Sequence, residues 1–126
     1  MRAVDTNLLV RLIARDDAKQ AEAAEKFVTA GAWISHLVLT EAVWVLDSVY
    51  ELPATSLATA VRMLLEHASL VVQDADVVEA ALAEFTARPA LGFSDCLILE
   101  VARKAGHLPV GTFDRAFGKL DNVERI

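Results

Sequence analysis

The stretch Arg2-Ala3-Val4-Asp5-Thr6-Asn7-Leu8-Leu9 sets the reading of the whole chain. Arg2–Thr6 reads as a short strand, with Asp5 near its end, and Leu8–Ala14 as a helix directly after it. The same alternation continues outward. Asp17–Ala30 has Ala21, Ala24, Phe27 and Val28 at helical spacing, and Gly31 ends it. Ala32–Ser35 reads as a second strand. Leu37–Tyr50 reads as a helix that is apolar almost all round, hence buried or placed at an interface. Pro53 opens the next helix, which runs to about His67. Leu70–Gln73 follows as a strand, and Asp74 or Asp76 caps a helix reaching about Ala87. Pro89 and Gly92 mark a loop, and Ser94–Ala105 is a helix closed by Gly106. Leu108–Thr112 is a strand, Arg115–Leu120 a short helix and Val123–Ile126 a candidate edge strand. Strands alternating with helices predict an α/β fold around a mostly parallel sheet. In such sheets functional groups gather beyond the carboxyl ends of the strands.

A chain of 126 residues predicts a single domain, residues 1–126. With 55% hydrophobic and 24% charged residues it has the composition of a folded protein. A mean hydropathy of +0.38 fits either an alanine-rich helical chain or apolar surface covered by a partner. The single cysteine, Cys96, makes neither an internal disulfide nor a zinc cage. No signal-peptide pattern appears, and no apolar run approaches the ~18 residues of a membrane span. A cytoplasmic protein with no membrane contact is therefore expected. The net charge of −6 is unusual for a nucleic-acid binder, but nine of the twelve Lys and Arg residues fall in residues 1–20 and 103–126. A basic rim would form if those ends met in space; the alternative is solvated helix faces.

Among the acidic residues, Asp5, Glu41, Asp95 and Asp114 fit structural roles least well. Asp5 and Asp114 stand at strand ends, Glu41 lies within the apolar helix, and Asp95 falls on the stripe of Ile98, Leu99 and Ala102. A buried carboxylate is costly unless it is paired or neutralised. Basic residues are scarce around these positions, so a hard divalent cation, Mg²⁺ or Mn²⁺, is the expected counter-charge. Each acid also has a plainer reading. Asp5 and Asp114 suit helix N-caps, and Asp95 suits a helix first turn. Glu41 has the weakest such alternative.

The motifs around these acids resemble, in order, those of PIN domains. They are Val4-Asp5-Thr6-Asn7-Leu8-Leu9, Glu41 within Ser35–Leu46, Phe93-Ser94-Asp95-Cys96-Leu97-Ile98, and Thr112-Phe113-Asp114-Arg115-Ala116-Phe117. The resemblance implies a Rossmann-like three-layer sandwich, with a central, mostly parallel sheet of about four to five strands flanked by helices. It implies that Asp5, Glu41, Asp95 and Asp114 bind Mg²⁺ or Mn²⁺ and cut RNA. Asp5 and Asp95 would be the principal ligands. Asp114 would hold a second ion or a water, and Glu41 would ligate or orient the attacking water. Asn7 and Thr112 would steady the carboxylates by hydrogen bonds, and Arg11, Arg15 and Arg115 would hold flanking phosphates. The opening motif and compact length resemble VapC-type toxins in particular. That likeness implies a homodimer, a VapB-type antitoxin as partner, and a tRNA or ribosomal RNA loop as substrate.

Two other functions are weighed. An aspartyl phosphatase lacks support because Thr6 and Asn7, not an Asp-x-Asp pattern, follow Asp5. A catalytically inactive PIN-like interaction module is opposed by the presence of all four acids.

Overall fold

A computed structural model describes residues 1–126. The chain divides into two compact units, Met1–Ala75 and Asp76–Ile126.

The first unit contains β1 (Arg2–Ala3), α1 (Thr6–Ala14), α2 (Ala18–Thr29), β2 (Ala32–Ile34), α3 (His36–Ser48), α4 (Ala54–Glu66) and β3 (Leu70–Val72). The strands lie in the order β1-β2-β3 and pair in parallel, with Arg2 opposite Ala32 and Ala32 opposite Leu70. β1 is shorter than the sequence suggests because Asp5 turns the chain. Its carboxylate accepts the Leu8 N–H at 2.9 Å, so the helix starts at Thr6. Asp17 caps α2 and Ser35 caps α3 in the same way. α1 stops where Arg15 takes a left-handed conformation (φ 53°) and returns its N–H to the Arg11 carbonyl. The core is built from Leu9 and Val10 of α1, Val28, Ile34, and Leu39 and Leu46 of α3, all buried. α3 is nonetheless not buried all round, since Leu37 and Trp44 remain 76% and 63% exposed.

The second unit contains α5 (Ala75–Ala87) from its second residue on, a 3₁₀ turn at Pro89–Leu91, α6 (Phe93–Ala105), β4 (Val110–Thr112), a second 3₁₀ turn at Phe117–Lys119, and β5 (Val123–Arg125). β4 and β5 pair in parallel, Val110 opposite Val123 and Thr112 opposite Arg125. Every strand pairing in the chain is therefore parallel, in a three-stranded and a two-stranded group. The short helix read at Arg115–Leu120 is the tighter 3₁₀ turn. Asp76 lies in the first turn of α5, where it accepts a hydrogen bond from the Lys104 ammonium at 3.1 Å. That bond is the main reason its carboxyl sits below the usual carboxylate range. Phe85 meets Phe93 edge to face, with ring centroids 6.0 Å apart, and Val78 and Leu82 complete the packed face of α5. Gly106 (φ 84°) closes α6 in the conformation that glycine adopts most readily. No helix is long and apolar enough to cross a membrane.

Leu46 is fully buried in the first unit. Leu46→Ala is expected to lower the unfolding free energy by about 2–5 kcal/mol, through lost transfer energy and the cavity left behind. Urea denaturation followed by circular dichroism measures this, and a loss well under 1 kcal/mol would show that the site collapses around the gap.

Candidate active site

Asp5 sits at the carboxyl end of β1, exposed to solvent. Its Oδ1 accepts the Leu8 N–H, and its Oδ2 makes no hydrogen bond. The capping role weighed for Asp5 is therefore real, yet it uses only one oxygen. Glu41 lies in the second turn of α3, also exposed and unpaired, with exposed Leu37 and Trp44 on the same helical face. The sequence suggests an apolar enclosure for Glu41 because α3 is apolar on every side. The enclosed face is in fact that of Leu39, Ala42, Val43 and Leu46.

The arginines of α1 and its C-terminal cap are already engaged. The Arg11 guanidinium donates to Asp16 at 3.1 Å, to the Tyr50 hydroxyl at 2.9 Å and to Gln20 at 2.6 Å. Tyr50 in turn donates to Asp16 at 2.9 Å, which is the chief cause holding the Asp16 carboxyl below its usual range. Sequence reading missed this cluster, because Tyr50 comes to Asp16 and Arg11 only through folding. Arg15 pairs with Glu25 at 2.7 Å. Asn7 is exposed and lines a largely apolar groove between α1 and α2 with Leu8, Ala24 and Phe27; it makes no hydrogen bond to a carboxylate.

In the second unit, Asp95 occupies the first turn of α6, half-buried, and its carboxylate accepts no hydrogen bond. Burial first, and the charge of Asp114 second, push its carboxyl above the usual carboxylate range. Asp114 follows β4 and is exposed. Its Oδ1 accepts the Ala116 N–H at 3.1 Å, while its Oδ2 is free. The Thr112 hydroxyl accepts the Asp114 N–H at 3.0 Å, so Thr112 steadies the backbone of Asp114 rather than its carboxylate. Arg115 is exposed and makes no ion pair. Cys96, beside Asp95, is buried, and burial pushes its thiol up to about 11, which leaves it inert.

Asp5 and Glu41 thus belong to the first unit and Asp95 and Asp114 to the second. Within neither unit do three or more His, Cys, Asp or Glu side chains gather closely enough to hold a metal ion. The donor chemistry still suits a hard divalent cation. These are carboxylate oxygens free of hydrogen bonds, and Asp95 is left with a repulsion that a cation would relieve. The cost of a buried carboxylate applies to Asp95 only, since the other three acids are open to solvent.

A family model for the PIN domain matches residues 2–123, a span that holds all four acids. The chain belongs to the PIN-domain family. No curated protein matches the sequence. Among solved structures, this PIN-domain chain is similar to the sarcin–ricin-loop-cleaving toxin VapC20 of Mycobacterium tuberculosis. Identity is 23%, 98% of each chain is covered, and the TM-score is 0.45.

Because Asp95 titrates above its ordinary range in the folded protein, the folded state binds this proton more tightly than the unfolded chain. Its contribution to stability is greatest at low pH and falls as pH rises through that range. Asp95→Asn is therefore expected to raise the metal-free Tm at neutral pH, with the gain vanishing below about pH 3. Thermal melts in chelator across pH read this directly. A Tm at or below wild type at neutral pH would contradict it.

Proposed function

We propose that this PIN-domain protein is a metal-dependent endoribonuclease and the toxin of a VapC-type toxin–antitoxin pair. The observation that carries the reading is the Asp95–Asp114 pair. Two carboxylates from separate elements, α6 and the turn after β4, feel each other's charge without any cationic side chain to offset it. Membership of the PIN family and the remaining acids, Asp5 and Glu41, support the same reading.

In this reading Asp5 and Asp95 are the principal ligands of Mg²⁺ or Mn²⁺. Asp114 holds a second ion or a water, and Glu41 ligates or orients the attacking water. Such a cation neutralises charge developing on the phosphoryl group and lowers the pKa of water. The chain's own part is to hold free carboxylate oxygens at fixed backbone positions, through the helix cap made by Asp5 and the turn that Asp114 closes with the Ala116 N–H. Of the arginines read as phosphate-holding, Arg115 is the one with its guanidinium unengaged. Arg11 and Arg15 would first have to leave Asp16 and Glu25. Exposed Leu37, Trp44 and Met63 offer apolar surface for a homodimer or for a VapB-type antitoxin, and a cytoplasmic site of action fits both. Structured RNA with single-stranded loops, such as tRNA or ribosomal RNA, is the substrate class proposed. Flexible loops admit a carboxylate site, and a net charge of −6 weakens grip on a duplex.

Purified protein incubated with total cellular RNA, followed by mapping of new 5′ ends, tests the reading. Cuts are expected at few positions, to require Mg²⁺ or Mn²⁺, and to stop with EDTA. Asp5→Asn and Asp95→Asn are each expected to lower the rate more than about 100-fold while the fold is kept. Cuts that persist in EDTA and in Asp95→Asn would belong to a contaminant and would leave the inactive interaction module as the better reading.

A further inference from the structure

Phe113 is the most exposed large apolar side chain in the chain, at 83% of its surface. It does not lie at a frayed end. β4 precedes it, the Thr112 hydroxyl accepts the N–H of Asp114, and the Asp114 carbonyl accepts the N–H of Gly118 at 3.0 Å. Phe117, four residues on, is buried and anchors the turn. The backbone therefore holds Phe113 out in water from a fixed position. Its sequence neighbour is Asp114, whose charge reaches Asp95. One residue further, Arg115 is exposed and unpaired, whereas Arg11, Arg15, Arg88 and Arg103 all have carboxylate partners.

An apolar protein partner would find here only Phe113 and the exposed Ile126, whose N–H donates to the Thr112 carbonyl, with a carboxylate and a free guanidinium following the ring in sequence. A nucleotide matches all three features: a planar base with an apolar face, an anionic phosphate for Arg115, and a phosphodiester brought to the acidic pair through a cation. We propose that Phe113 is a stacking platform for an unpaired base of the RNA strand, next to the bond that is cut. Stacking on an aromatic ring is sequence-tolerant and needs a base already free of its helix, so Phe113 selects single strands and loops over duplex. The proposal rests on the nuclease reading for its position relative to the cut, but the base contact can be measured without turnover.

The test compares Phe113→Ala, Phe113→Leu and Phe113→Trp on a short mixed-sequence single-stranded RNA, with its duplex as control. Cleavage kinetics are read alongside fluorescence anisotropy of the labelled RNA in EDTA. Phe113→Ala is expected to raise KM, and to weaken binding of the single strand, by about 5- to 100-fold. kcat should stay within about twofold, since the ring does not touch the reacting atoms. Phe113→Trp should restore binding, Phe113→Leu should not, and duplex binding should be indifferent to all three. An unchanged single-strand affinity in Phe113→Ala would overturn the proposal. So would a Leu variant as good as Trp, or a change in sedimentation that marks Phe113 as a protein interface. Loss of activity in Asp95→Asn with Phe113→Ala unaffected would refute the platform alone. Activity that survives in Asp95→Asn would refute the nuclease reading, and the anisotropy in EDTA would still decide the stacking claim.

Discussion

A backbone N–H held by one carboxylate oxygen recurs at two strand ends of this protein. Leu8 donates to Asp5 after β1, and Ala116 donates to Asp114 after β4. In each case the bond satisfies a donor that the turn would otherwise leave open, and it fixes the side chain against its own backbone. The second oxygen of each carboxylate is thereby presented rather than left to rotate. Capping and ligation are often treated as rival explanations of an Asp at a strand end. Here the cap is what would make the ligand rigid. Asp95 differs in kind: it has no hydrogen bond, it is half-buried, and it pays for that with a carboxyl held above its usual range.

Much of this was legible in the sequence. Short β-like runs separated by helical spacing gave the order of elements, and the parallel pairing follows from the helices that connect the strands. Element ends were legible where a glycine stood, as at Gly31 and Gly106, whereas Ser35, read as the end of a strand, is the cap of α3. Other features were not. α3 is apolar on all sides, so periodicity could not say which face is buried, and Glu41 proved to be on the open one. The partners of Arg11 are Tyr50, Asp16 and Gln20, and no local spacing reveals that a tyrosine from beyond α3 will reach α1. Phe113 stands just past the strand read at Leu108–Thr112, and only the backbone path shows that its ring is left in water.

Charge is arranged economically for an acidic protein. Arg11, Arg15, Arg88 and Arg103 are paired with carboxylates, and Arg2 lies over the ring of Phe27 at 3.7 Å. Exposed pairs of this kind add little stability, but they neutralise charge that would otherwise attract any polyanion. What the acidic pair has beside it in sequence is the free guanidinium of Arg115 and the exposed ring of Phe113, and the pair itself calls for a cation. Such a surface favours a few well-shaped substrates over indiscriminate binding, as the proposed function requires.

The central claim is that the unpaired carboxylates of this protein bind a divalent cation. Mn²⁺ binding followed by electron paramagnetic resonance, on the full chain and on Asp5→Asn and Asp95→Asn, measures this without RNA or turnover. Saturable binding is expected in the wild type, weakened at least tenfold by either substitution, because each removes the charge of a proposed ligand. Mn²⁺ affinity unchanged by both substitutions, or no saturable binding at all, would contradict it.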